Sequence, residues 1–137
     1  MTKPYTGCCA CGAARFEVVG QPVDMNHCQC RQCQRASGTG HGSHLTFVGA
    51  SVSRTGDTGH WVATGDLGTR KSRHFCPTCG MPVYMTFPDM PDVFVVYASS
   101  LDDPEQFAPQ FTMWTAAGRT WDPVDATIPS FEKLRPS

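Results

Sequence analysis

Eight cysteines in 137 residues fall into three clusters: Cys8, Cys9 and Cys11, then Cys28, Cys30 and Cys33, then Cys76 and Cys79. Sulfur so grouped can bridge, pack or bind metal. A disulfide framework fits the even count. Against it, neighbours one or two residues apart bridge one another poorly, and the opening Met1-Thr2-Lys3-Pro4-Tyr5 lacks the apolar stretch of a secretory signal. Packing as small hydrophobes suits a lone residue such as Cys8, not three clusters. Metal ligation accounts for both the number and the grouping.

Cys76-x-x-Cys79-Gly80 is a zinc-knuckle sequence. A tight turn brings two thiolates to one ion, backbone N–H groups can bond the sulfurs, and Gly80 permits a positive φ after the second ligand. One pair is half a site. Cys9-x-Cys11, which also ends in glycine, is the natural other half. A quartet of Cys9, Cys11, Cys76 and Cys79 leaves no room for a substrate, so its ion is expected to be structural and to contribute folding free energy. Zinc is favoured there over rubredoxin-like iron, which uses similar thiolate sets.

Cys28-x-Cys30-x-x-Cys33 offers three thiolates within six residues. If Cys30 opens a helix, Cys30 and Cys33 share a face, and Cys28 approaches from the extended segment before it. Three protein ligands and a vacancy compose a catalytic zinc site, and a thiol bound in the vacancy is deprotonated at neutral pH. Other readings stay open at this point. His27 or Cys8 could fill the vacancy, or the triplet could be redox-active. His27, His41, His44 and His74 are all available as a general base, and none stands out.

The elements that position these sulfurs are short. Phe16 and Val18 alternate with Arg15 and Glu17, a strand with one wet side. Cys30 to Ser37 is the one short helix, stopped at Gly38. Strands are expected around His44–Val48, Ser51–Arg54 and His60–Thr64. Lys71–Phe75 and Pro82–Phe87 should form a hairpin around the knuckle. Val93–Ala98 is the most hydrophobic strand and should cross the core; Phe111–Thr115 adds another. The tail is irregular, with Trp121 and Phe131 expected to pack.

At this length, residues 1–137 read as a single domain. Eleven basic and twelve acidic side chains nearly cancel, which gives no electrostatic case for nucleic acid or an anionic membrane. The longest apolar run, Val93 to Ala98, is far short of a membrane span. A cytoplasmic location, where thiols stay reduced, is the default expectation.

Taken together, Gly7-x-Cys9-x-Cys11-Gly12, His27-Cys28-x-Cys30-x-x-Cys33-x-x-x-Ser37-Gly38 and Phe75-Cys76-x-x-Cys79-Gly80 closely resemble the glutathione-dependent formaldehyde-activating enzyme family, also called centromere-protein-V-like. Ser100-Leu101-Asp102-Asp103-Pro104 and Trp114…Trp121…Pro129-x-Phe131 extend the resemblance over nearly the whole chain. It implies a mainly β, Mss4-like tent of small antiparallel sheets with one short helix, stapled by zinc. It also implies structural zinc on Cys9, Cys11, Cys76 and Cys79, and catalytic zinc on Cys28, Cys30 and Cys33. The implied activity is that of a carbon–sulfur lyase on a thiol–aldehyde adduct such as S-hydroxymethylglutathione, made from glutathione and formaldehyde. Cationic residues should meet the glutathione carboxylates, with Arg31, Arg35, Arg70, Lys71 and Arg73 available. The alternatives are a non-catalytic zinc-binding interaction module of the Mss4-like type, or a thiol or metal sensor.

Overall fold

The computed structural model describes residues 3–136. Ten strands make two sheets. The smaller, ordered β1-β2-β5, joins Tyr5–Cys8, Arg15–Val19 and Ser51–Thr55. The larger is ordered β10-β3-β4-β9-β8-β7-β6. Its strands are β3 (Asp24–Cys28), β4 (Gly42–Val48), β6 (Gly59–Thr64), β7 (Arg70–Phe75), β8 (Pro82–Thr86), β9 (Val93–Tyr97) and β10 (Phe111–Met113). One helix among the described residues, α1 (Arg31–Ser37), connects β3 to β4, and the rest of those residues form turns, loops and three short 3-10 segments.

The alternation in β2 is as its sequence dictates: Phe16 and Val18 are buried, Arg15, Glu17 and Val19 exposed. Those two side chains meet Leu45 and Phe47 of β4, Tyr84 of β8, and Phe94 and Val96 of β9 in the main core between the sheets. Phe16 makes edge contacts with Tyr84 and Phe94 at 6.3 Å, and Tyr5 with Phe47 at 5.3 Å. β9 is covered on both faces, Phe94 and Val96 packing in the main core and Val95 and Tyr97 in a second cluster, which explains why its run is apolar without alternation. The small sheet is drawn close where β1 passes Leu101. A Cβ at Gly7 would collide with the Ser100 carbonyl oxygen, and one at Gly56, which also has φ +85°, with that of Ala13.

The opposite face of the large sheet follows from register. Asn26 faces His44, Cys28 faces Gly42, Met113 faces Cys28, Thr46 faces Val95 and Arg73 faces Met85. Period-two alternation puts all of them on the side away from the main core, where Met85, Phe87, Val95 and Tyr97 form a second, smaller cluster.

The mainly β, one-helix architecture is the one expected, and the hairpin around the knuckle is present, with a register shift at His74/Phe75. Two strands carry no strong sequence signal: β1 is four residues long, and β3 reads Asp-Met-Asn-His-Cys with no apolar alternation. β10 pairs with β3 in parallel, not antiparallel, because it returns from the far side of the chain to cover that edge. The expectation that Trp121 packs is corrected: it is 65% exposed. Phe131 does pack, edge-on to Phe111 at 6.0 Å. Among the described residues no helix is long and apolar enough to cross a membrane.

Phe47 and Val48 are adjacent on β4, the first fully buried and the second 52% exposed. Phe47→Ala should therefore cost about 3–5 kcal/mol. Val48→Ala should stay within about 0.5 kcal/mol. Urea midpoints at a fixed excess of zinc, to keep ligand linkage constant, check both.

Candidate metal centres

The first cluster forms where two turns abut. Cys9 and Cys11 lie in the turn from β1 to β2, Cys76 and Cys79 in the turn from β7 to β8, and their sulfurs all lie within 4.8 Å of one another. Cys11 Sγ is 3.6 Å from both Cys9 Sγ and Cys76 Sγ. Thiolates at about 2.3 Å from a tetrahedral ion lie about 3.8 Å apart, so the spacing suits one zinc. Backbone N–H groups point at the sulfurs, from Ala14 to Cys9 at 3.3 Å and from Thr78 and Cys79 to Cys76 at 3.4 and 3.5 Å. Gly12 and Gly80 close the two turns with φ of +81° and +79°. The Ala14 amide, aided by the neighbouring thiols, holds Cys9 down to about 6, as a ligating thiol requires.

Cys28, Cys30 and Cys33 form the second cluster, again with their sulfurs within 4.8 Å. Cys28 is the last residue of β3. Cys30 is the helix N-cap, in extended conformation, with its sulfur accepting from the Cys33 N–H at 3.3 Å where a hydroxyl usually sits. The helix stops at left-handed Gly38. Gln34 anchors it by donating to the carbonyls of Gln29 and Ala117, both at 2.9 Å. Hydrogen bonds with Cys28 and Cys33 pull Cys30 far down, while Cys28 is pushed up by its hydrogen bonds with Cys30 and Cys33 and by burial.

A buried cation stands beside them. Arg73, 3% exposed, donates to Tyr97 Oη at 2.7 Å and to Cys33 Sγ at 3.8 Å. Among the described residues no carboxylate pairs with it, and burial keeps Tyr97 a neutral phenol. Buried charge needs a counter-charge, so the sulfur cluster is the anion this guanidinium balances.

The trio stays three. No fourth histidine, cysteine or carboxylate among the described residues joins it. His27 Nδ1 is bonded to Ser43 Oγ at 2.8 Å, and Cys8 faces Asp102 at 3.7 Å. None of the eight cysteines is in a disulfide. Of the other histidines, His41 pairs with Asp122 at 2.9 Å and His74 sits between Thr58 and Thr86, leaving His44 beside the trio. His44 is buried opposite Asn26. Burial, with Arg73 and Lys71 adding to it, lowers it to about 3 and keeps it neutral. A Cβ at Gly42 would come within 2.9 Å of His44 Nε2 and 3.3 Å of Cys33 Cβ, so glycine is what lets them approach.

Two hollows open at the trio. A polar groove is lined by Cys30, Arg31, Asp66, Lys71 and Trp114. A larger cavity, ≈190 Å³, has Cys28 and Cys33 in its wall together with Asn26, His44, Met113 and Trp114. Trp114 borders both and is the sole non-glycine residue with positive φ, +60°, among those described; it is pinned by its N–H to the Lys133 carbonyl at 3.0 Å. Sequence reasoning missed Asn26, and named His44 among four histidines and Lys71 among five cations without choosing between them. Of the other candidate cations, Arg70 is engaged with Asp89 at 2.7 Å and Arg35 lines a different hollow. Register and side-chain direction, not residue type, make this selection.

Comparison with known proteins agrees with the fold and the motifs. A crystal structure of a Rhodobacter sphaeroides protein superposes with a TM-score of 0.54 at 23% identity, covering 74% of this chain and 93% of that one. A Halomonas elongata protein named "Putative glutathione-dependent formaldehyde-activating enzyme" is 29% identical over 109 residues. That alignment takes in 70% of this chain and 64% of the relative, so the chain spans less than two thirds of the relative's length. Residues 4–117, which contain both sulfur clusters and Trp114, match the profile described as "Glutathione-dependent formaldehyde-activating enzyme". The chain belongs to the glutathione-dependent formaldehyde-activating enzyme family.

Proposed function

We propose that this protein is a zinc-dependent carbon–sulfur lyase. It acts on a small thiol–aldehyde adduct such as S-hydroxymethylglutathione, with structural zinc on Cys9, Cys11, Cys76 and Cys79 and catalytic zinc on Cys28, Cys30 and Cys33. The observation that carries this reading is the second cluster: three convergent sulfurs, no fourth donor among the described residues, and a cavity at their side. An ion with three protein ligands keeps a position for a guest.

In the adduct-forming direction the thiol sulfur bonds to the carbonyl carbon, and the thiol proton ends on the former carbonyl oxygen. Cleavage reverses both. Zinc on the trio would supply Lewis acidity and hold a guest thiol as thiolate. A divalent ion on three thiolates leaves one net negative charge, which Arg73 offsets from its buried position. Lys71 and Arg31 beside Cys30 offer cations for a glutathione carboxylate, and Lys71 has no ion pair among the described residues. Asn26 and His44, whose Oδ1 and Nε2 have no hydrogen-bond partner, stand in the wall of the cavity that would receive the adduct.

Metal analysis should find about two zinc ions per chain, one for each cluster. Cys30→Ser should lose about one ion and slow the catalysed exchange between glutathione and its formaldehyde adduct about 100-fold or more, read by NMR exchange above the uncatalysed rate. Its circular dichroism should be unchanged. Cys76→Ser should instead destabilise the fold by several kcal/mol, as a lost structural metal does. Retained exchange in Cys30→Ser would refute the lyase reading.

Lys71→Ala should weaken glutathione binding roughly threefold to tenfold in low salt, and the difference should shrink as salt screens the contact. Calorimetry at two ionic strengths reads it. A salt-independent result would remove Lys71 from the carboxylate contact.

A further inference from the structure

The two hollows at the trio differ in chemistry, and that difference selects a substrate. Cys30 borders the polar groove, where Arg31 and Lys71 outnumber the one carboxylate, Asp66; Cys28 and Cys33 border the larger cavity. That cavity shares Asp66, Lys71 and Trp114 with the groove and also has Asn26, His44, Thr46 and Thr69 in its wall, but most of its surface is apolar, from residues such as Met85, Phe87, Val95 and Met113. A guest sulfur seated at the trio therefore has a cationic side and an oily side.

Glutathione, with two carboxylates and an ammonium, belongs on the cationic side. Formaldehyde then adds a single carbon and leaves the oily side empty. An apolar cavity of about 150 Å³ is already large enough to take benzene, and this one measures ≈190 Å³. Two of its polar residues sit deep in the wall. Asn26 and His44 are each 3% exposed, face each other across β3 and β4, and carry an unpartnered Oδ1 and Nε2.

We propose that the aldehyde part of the cognate adduct carries an apolar group of about four to seven carbons, seated against Met85, Phe87, Val95 and Met113. The inference rests on the lyase reading and names its substrate class: the thiohemiacetal of a carboxylate-bearing thiol and a hydrophobic aldehyde. The step needs no further reactant. The sulfur–carbon bond forms as the carbonyl π bond opens, the thiol proton passes to that oxygen, and nothing is oxidised or reduced.

The probes are S-methyl-, S-propyl-, S-pentyl- and S-benzylglutathione, stable mimics whose S-substituent stands for the aldehyde-derived carbon. Each is titrated calorimetrically into the zinc-loaded protein. Affinity should rise about threefold to fourfold per methylene, on the order of 100-fold from methyl to pentyl. Leu67 at the mouth is 58% exposed and contributes nothing to the core, so Leu67→Asp should fold normally. It should cut the pentyl-to-methyl affinity ratio at least about fivefold. A flat series, or one in which methyl binds best, would overturn the proposal, whether or not the formaldehyde adduct turns over. A steep series without turnover of either formaldehyde or pentanal adducts would sink the lyase reading and leave the apolar preference standing.

Discussion

Four thiols brought within 4.8 Å crowd one another when neutral and repel one another when ionised, so no chain assembles such a cluster without something to hold it. Here the holding comes from hairpin turns. The β1–β2 and β7–β8 turns present two sulfurs each, aimed by amide hydrogen bonds from Ala14, Thr78 and Cys79. The two turns belong to different sheets, so a shared ion would fasten the small sheet to the large one at their ends. The rest of the architecture depends on that junction: the main core from Phe16 to Val96 lies between the two sheets it joins.

The second cluster obeys a different constraint. Its sulfurs come from one short stretch, and their convergence requires only that a strand end, a helix cap and the first helical turn follow in order. What the fold adds is the surroundings. Register places Gly42 opposite Cys28 and His44 opposite Asn26, and β7 delivers Arg73 from across the sheet. The trio thus sits between a buried positive charge and a largely apolar hollow, a setting in which a sulfur anion is balanced.

The two clusters also divide the labour of the two sheet faces. Leu45, Phe47, Phe94 and Val96 face the small sheet and build the core; the residues between them along the same strands, His44, Thr46, Val95 and Tyr97, face the trio's side. A one-residue slip of β4 would exchange the sets and ruin both. That coupling explains why strands so short can be so densely buried: β8 and β9 are used on both sides.

Cysteine spacing alone separated a quartet from a trio, because ligands for one ion must be close in sequence or carried on turns, and both leave a local signature of Cys, Gly and spacing. The helix, its stop at Gly38, the knuckle hairpin and the alternation in β2 were legible for the same reason: each is a local preference. The tertiary structure decided what depends on distant partners. β3 has a polar sequence and becomes a strand because β4 and β10 flank it, and β10 joins in parallel because the chain returns from elsewhere. Trp121 is as aromatic as Trp114, yet one lies in solvent and the other borders the site. Among five candidate cations and four candidate histidines, residue type could not choose. Lys71, Arg73 and His44 are picked out by register across the sheet, a long-range property that no single segment encodes.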